Sequence, residues 1–256
     1  SIPGISSDTS PQSLLSGAGS QILLPLYRWN PSRFTYETAS ELKSGEGYWL
    51  LTLAPETISI ALNPAFSQTL SLAAGWNMIG GLAATVGFTD PQETPDNAIL
   101  PPAYSWDAAR FTYVPASELK AGQGYWVLSM QPCQLSLSST GASNAPSLLV
   151  QQPEGRLDLQ ISAPLWQKRL SVGWHPGQDQ GHPINELDSV LPPISPNGAQ
   201  NQAYFLHAGY QLRQDTQALS IDSKGIKESP VGDEFLDPPD VAIGNQHVTF
   251  LIDGNR

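Results

Sequence analysis

The sequence predicts an all-β protein: tandem small β-modules, the first incomplete at its N-terminus, followed by a β-sandwich or jelly-roll-like domain. Three observations carry that expectation. Gly and Pro make up 45 of the 256 residues, about 18% against the roughly 12% of average usage, which fits many short strands joined by turns. The stretch from Tyr27 to Leu53 aligns without gaps to Tyr104 to Met130, 77 residues on, with 16 identities in 27 positions. From residue 142 onward, short runs of partly alternating apolar and polar residues are separated by Gly, Pro and Asn clusters, the pattern of a sandwich of short strands. The expected domains are residues 1–62, 63–141 and 142–256.

The second aligned stretch belongs to a complete module and sets the order of its elements. "AGWNMIGGL" (Ala74 to Leu82) reads as a strand entered through a Gly turn. A Pro-rich excursion, "TDPQETPDNAILPP", follows. "AYSWD" and "RFTYVPA" are strands joined by a tight "AA" turn, because Tyr104 and Trp106 share one face at period two, as do Phe111 and Tyr113. "SELKAGQG" is a loop with at most one helical turn. "GYWVLSM" and "CQLSLS" close the module as strands. In the first module "SDTSPQ" matches "GFTDPQ", which places "SIPG" (Ser1 to Gly4) in the slot of "IGGL". The counterpart of "LSLAAGWNM" then falls before residue 1. A sheet that lacks a strand has an open edge. Ser1, Ile2, Pro3, Gly4, Ile5 and Ser6 are the expected interaction edge, to be met by a protein partner or by an earlier part of the same polypeptide.

In the last domain "SLLVQQ", "RLDLQIS", "KRLSVGWH", "QAYFLHA", "ALSID" and "HVTFLID" read as strands, and "DSVLPPISPNGAQ" and "GDEFLDPPD" as long proline-bearing loops.

The net charge is −11, spread evenly: 5 basic and 10 acidic groups in residues 1–140, 7 and 13 in residues 141–256. No basic patch stands ready for phosphate contacts, so nucleic acid and an anionic membrane surface are not expected partners. No run of 18 apolar residues is present, so no membrane-inserting helix is expected. The single Cys133 has no cysteine to pair with in this chain and reads as a small residue on a strand.

"GWNMIG", then W-[ND]-x-x-x-[FY], then L-x-x-G-x-G-Y-W resembles a repeat of large bacterial secreted and cell-surface proteins. The residues are Trp76 and Asn77, Trp106 and Asp107, then Leu119, Gly122, Gly124, Tyr125 and Trp126. The first module matches through Trp29, Asn30, Leu42, Gly45, Gly47, Tyr48 and Trp49. The stretch from "KRLSVGWHPG" to "QAYFLH" is similar to a β-domain that follows such repeats. The resemblance implies an extracellular, structural or adhesive module with no known catalytic residues and no defined substrate.

The glycine loops "SGEGYW" and "AGQGYW" invite a phosphate-binding reading. A dinucleotide fingerprint needs G-x-G-x-x-G and then a helix N-terminus. Here only G-x-G is present, and Tyr-Trp starts a strand at once, so Gly45, Gly47, Gly122 and Gly124 are expected to supply turns with φ > 0. Trp29, Tyr48, Trp49, Trp76, Trp106, Tyr125 and Trp126 are expected either to fill cores or to stack on a glycan. In "GYW" neighbouring side chains point opposite ways, so one of Tyr125 and Trp126 faces a core and the other a surface or junction. "WHPGQDQGH" reads as a loop holding His175 and His182 near Asp179. Asp179, Glu186 and Asp188 are weak Ca²⁺ candidates that match no calcium-loop spacing. No G-x-S-x-G and no H-E-x-x-H occurs. The expectation is a non-catalytic structural or interaction module without a cofactor, with a carbohydrate-binding module as the alternative.

Overall fold

The computed structural model describes residues 1–17, 21–55, 57–139, 155–163, 166–176, 188–196, 203–207, 210–222, 225–227, 240–243 and 246–249. The chain is all-β, with one four-residue helix, α1 (Pro11–Leu14), among the described residues. It divides into two compact units, Ser1–Leu148 and Leu149–Arg256. Residues 1–62 and 63–141, expected as separate domains, therefore share one unit, for reasons set out with the aromatic cluster below.

The first unit contains β1 (Gly4–Ile5), β2 (Ile22–Asn30), β3 (Thr35–Thr38), β4 (Trp49–Thr52), β5 (Asn63–Pro64), β6 (Ser67–Leu72), β7 (Gly75–Gly80), β8 (Val86–Gly87), β9 (Gln92–Thr94), β10 (Ile99–Asp107), β11 (Thr112–Ala116), β12 (Glu118–Leu119), β13 (Gly124–Ser129) and β14 (Cys133–Ser138). Its larger sheets run β11-β10-β13-β7, β6-β14-β9 and β3-β2-β4, with β1-β5 and β8-β12 as two-stranded ladders.

The two aligned stretches take the same local geometry. β2 and β10 each break register once, between Leu23 and Tyr27 and between Leu100 and Tyr104. Both breaks hold a cis X-Pro bond, Leu24–Pro25 and Pro101–Pro102, where proline has no N–H to give the ladder. The turn after each strand is longer than the expected "AA". Asp107 pairs with Thr112 and Asn30 with Thr35, and four residues lie between. Asn30 Oδ1 accepts from the N–H groups of Ser32 and Arg33, and Asp107 Oδ1 from those of Ala109 and Arg110, so a short polar side chain closes each turn. Phe34 and Phe111 complete the turns at φ 49° and 50°. In the segment expected as a loop with at most one helical turn, Glu118–Leu119 forms β12, paired with β8, and residues 120–123 make the turn into β13. The Pro-rich excursion contributes β9, which pairs with β14.

Two hydrophobic cores follow from this layout. One gathers Leu72, Ile79, Leu82, Val86, Phe88, Leu119, Tyr125, Val127, Leu135 and Leu137. The other gathers Ile2, Leu15, Leu26, Ala39 and Leu42, with Ile22, Tyr48, Leu50, Ile58 and Ile60 only partly buried against it. Ile2, Leu42, Tyr48, Leu50, Ile58 and Ile60 stand 77 residues before Ile79, Leu119, Tyr125, Val127, Leu135 and Leu137. The second set is buried throughout, the first only in part.

In the second unit β15 (Gly155–Ala163), β16 (Trp166–Pro176), β17 (Ser189–Val190), β18 (Ala203–His207), β19 (Tyr210–Asp222), β20 (Gly225–Lys227), β21 (Asp240–Ile243) and β22 (Gln246–Thr249) belong to one sheet system, with main order β15-β16-β19-β18-β21-β22. Of the expected strands, "SLLVQQ" lies outside the described residues and "HVTFLID" is described only as far as residue 249; the others are present, and those described form this one system rather than two packed sheets. β16 and β19 pair in parallel, and the other described pairings of this unit are antiparallel. Leu170, Val190, Leu191 and Leu212 are buried.

Candidate interaction site

Each glycine loop is pinned by the tyrosine that follows it. The Tyr48 hydroxyl accepts from the Lys43 N–H (2.8 Å) and donates to Glu46 (2.7 Å). The Tyr125 hydroxyl accepts from the Lys120 N–H (2.7 Å) and donates to Gln123 (2.9 Å). Burial pushes both hydroxyls above the ordinary phenol range. These loops direct backbone N–H groups at their own tyrosines, and no helix follows them.

Gly45 and Gly122 have positive φ, 80° and 76°, as the turn reading expects. Gly47 and Gly124 do not, and at Gly47 close approach is the reason. A Cβ on Gly47 would lie 2.6 Å from Met78 Cγ and 2.7 Å from the Ile79 carbonyl oxygen. One on Gly124 would lie 3.6 Å from Gly47 Cα. The two equivalent glycines thus face each other, and β7 runs alongside the first loop. Gly47 N–H donates to Met78 O (3.1 Å), and Gly80 N–H to Gly45 O (2.8 Å).

The tryptophans form a reciprocal cluster between the two aligned stretches. Trp29 meets Trp126 edge-on at 5.2 Å, and Trp49 meets Trp106 at 5.1 Å. Tyr36 meets Trp126 at 6.3 Å, and Trp49 meets Tyr113 at 6.3 Å. Within each stretch Trp29 sits 5.1 Å from Tyr36, and Trp106 5.1 Å from Tyr113. Every contact between stretches has a mate with the partners exchanged, the pattern of a self-complementary, two-fold interface. Burial holds the Tyr36 hydroxyl far above its ordinary value. Trp126 Nε1 donates to the Tyr113 hydroxyl (3.0 Å) and Trp29 Nε1 to Trp76 O (2.8 Å). Tyr125 lies in the core of the second stretch while Trp126 lies at the junction. Trp76 and Trp126 are buried, and Trp29, Trp49 and Trp106 half-buried, with their edges against one another. Rings that each bury 150–250 Å² explain why the two stretches form one compact unit.

Asn77 is buried and closes the β6–β7 corner. Its Oδ1 accepts from Ala73 N–H, and its Nδ2 donates to the carbonyls of Ala73 and Gly75. Cys133 is buried on β14, with Ser129 Oγ 3.3 Å from its sulfur.

The first six residues are already engaged by their own chain. Ser1 donates to the carbonyls of Gly122 and Gln123. Ile2 is buried and bridges Ser44. Gly4–Ile5 pairs with Asn63–Pro64. Among the described residues β4 has one ladder partner, β2, so its other edge is open. In the second stretch the equivalent strand, β13, is flanked by both β10 and β7, and Leu128 stands opposite Trp76. Leu128 is 2% exposed, whereas its equivalent Leu51 on β4 is 49% exposed. Leu23, Leu24 and Leu53 are exposed beside it. The segment 57–62 alternates exposed and half-buried residues as β14 does, yet among the described residues no strand pairs with it. Sequence reasoning missed this location. The signal was in the alignment, because the strand opposite "GYWVLS" is the one that the first stretch lacks.

His175, expected in a loop, lies on β16 opposite Ala218. Asp188 directly precedes β17. His182, Asp179 and Glu186 lie outside the described residues, as does "GDEFLDPPD" apart from Asp240 on β21. Among the described residues no group of three or more His, Cys, Asp or Glu is placed to hold a metal.

No family model matches this chain, no curated protein shows significant similarity to it, and no solved structure shows significant similarity to its fold.

Proposed function

We propose that this chain is a non-catalytic structural and interaction module of a secreted or cell-surface bacterial protein, built from two tandem β-modules and a C-terminal β-domain. One observation carries the reading: the repeated aromatics, the residues best suited to hold a ligand, are spent on packing the two stretches together. The unpaired β4 edge adds a surface suited to a polypeptide partner. The acidic, lysine-poor surface fits a partner other than nucleic acid. The resemblance to bacterial surface repeats supports the location.

Tryptophan fluorescence titrated against a glycan panel tests the reading. Five of the seven tryptophans lie in residues 1–148, so stacking of a sugar on any of them alters the emission. The expected result is no saturable change with any glycan. A saturable change that is lost in Trp29→Ala or Trp106→Ala, with the fold retained, overturns it in favour of a carbohydrate-binding module.

A further inference from the structure

A groove of about 520 Å³ lies between β6, the end of β2, the first glycine loop and β7, a size within the range of ligand sites. Leu70 and Met78, both half-buried, give it an apolar lining, and Arg28 and Lys43 give it two cations. The carboxylate on its wall, Glu46, is already engaged by the Tyr48 hydroxyl (2.7 Å). Arg28 meets Glu37 through one nitrogen at 3.3 Å, and Lys43 meets Glu41. Both pairs are open to solvent, and such pairs are weak, so an incoming carboxylate can share or replace either partner. Arg28 and Asn30 both donate to Glu37. The second stretch lacks this network, because Ser105, Asp107 and Val114 stand in the places of Arg28, Asn30 and Glu37.

Backbone groups complete the wall. Among the described residues β6 pairs only with β14. Ser139 N–H donates to Phe66 O (3.0 Å), one step beyond the Ser138–Ser67 pair, and bonded residues alternate along an antiparallel ladder. Gln68, Leu70 and Leu72 therefore bond to β14. The N–H and C=O groups of Thr69 and Ser71 point away from it, and both residues line the groove. The end of β2 and the loop stand across from this edge, so the recess admits one extended chain and not the rim of a second sheet. A second copy of β6 lies in the same recess of its own chain and cannot enter.

We propose that the groove binds an extended acidic peptide segment of a partner protein, which adds to the β6 edge and sets its carboxylates against Arg28 and Lys43. Backbone bonds to Thr69 and Ser71 supply affinity, and the two cations supply the choice of sequence. Side chains of an extended segment alternate, so an acidic set can face the cations while an apolar set meets Leu70 and Met78.

This inference deepens the interaction-module reading and rests on it, but its readout is separate from tryptophan emission. A blocked heptapeptide alternating glutamate with valine is titrated onto the full chain, and amide exchange is followed by NMR along β6. The expected result is saturable one-to-one binding that slows exchange at Thr69 and Ser71 and leaves Gln68 and Leu70 unchanged. Added salt weakens it. Arg28→Ser and Lys43→Gln each weaken it about tenfold, the loss expected for one charge-assisted pair, with the Tm of the free chain close to that of the parent. Thr69→Pro removes an N–H on the open side of an edge strand, where proline is tolerated, and abolishes the protection of Ser71. Absence of protection at Thr69 and Ser71 with millimolar peptide overturns the proposal. So does equal binding of a peptide with lysine in place of glutamate, or full binding to the Thr69→Pro chain. Free glutamate that matches the peptide in affinity also overturns it, because strand addition then contributes nothing. A positive glycan titration with this protection intact removes the function reading and leaves the groove standing.

Discussion

Alanine at Gly47 and at Gly124 is expected to have opposite outcomes although the two residues occupy the same place in "GxGYW". At Gly47 the new methyl would lie 2.7 Å from the Ile79 carbonyl oxygen and 2.6 Å from Met78 Cγ. The methionine end can swing away, but the carbonyl belongs to β7, which is fixed on its other side by β13. Relief then requires moving the loop off β7, at the expense of Gly47 N–H to Met78 O and Gly80 N–H to Gly45 O. Overpacking costs about 1–3 kcal/mol, and each lost hydrogen bond about 0.5–1.5 kcal/mol. The two routes are alternatives in part, so Gly47→Ala should cost about 2–4 kcal/mol. For a unit of this size that lowers Tm by roughly 5–15 °C. At Gly124 the nearest atom is 3.6 Å away, which is ordinary contact, and the change should stay within about 1 kcal/mol of the parent. Urea and thermal unfolding followed by tryptophan fluorescence read both. Equal losses at the two sites, or none at either, would refute the placement of β7 against the first loop.

Double-mutant cycles on Trp29 with Trp126 and on Trp49 with Trp106 should give coupling of about 0.5–1.5 kcal/mol in each, matched to within a few tenths. Coupling in one pair alone would contradict the reciprocal arrangement. Asn77→Asp places a carboxylate against the carbonyls of Ala73 and Gly75 and should cost about 2–4 kcal/mol at pH 7. Its pKa is raised in the folded state, so the loss should shrink as the pH falls through that raised value, and a pH-independent loss counts against the argument. Burial holds the Glu93 carboxyl above its usual range against a hydrogen bond from Ile99 N–H, with Asp96 and Asp90 adding to the rise. A raised folded-state pKa means destabilisation at neutral pH that disappears as the pH falls through it toward 4.5. Glu93→Gln should therefore melt higher at pH 7, with the gain fading in acid, and a constant gain in Tm across that range would exclude the carboxylate as its cause.

What could be read from the sequence was local and doubled. The hairpins that end at Tyr36 and Tyr113 and the strand that starts at Tyr-Trp follow from short-range patterns that occur twice. The positive φ of Gly45 and Gly122 belongs to the same class. Gly47 and Gly124 look alike in sequence, yet their role comes from neighbours dozens of residues away, which no local pattern encodes. The merging of residues 1–62 and 63–141 into one unit has the same origin, since Trp29 and Trp126 meet only in three dimensions. The parallel pairing of β16 with β19 requires a long crossover and leaves no periodic mark. The expected edge was Ser1–Ser6, within which Gly4–Ile5 pairs with Asn63–Pro64. Among the described residues, the strand left with one ladder partner is β4, a fact of pairing that no local pattern encodes.

The reciprocal tryptophan contacts also bear on how the chain assembles. A self-complementary face cannot distinguish its mate on the same chain from the identical face on another. What selects the former is the tether between β4 and β6, which holds the two faces at an effective concentration of roughly millimolar. At chain concentrations well below that, closure within one molecule prevails. As refolding mixtures approach it, the first half of one molecule competes for the second half of the next, and exchanged dimers carry the same ring contacts as the monomer.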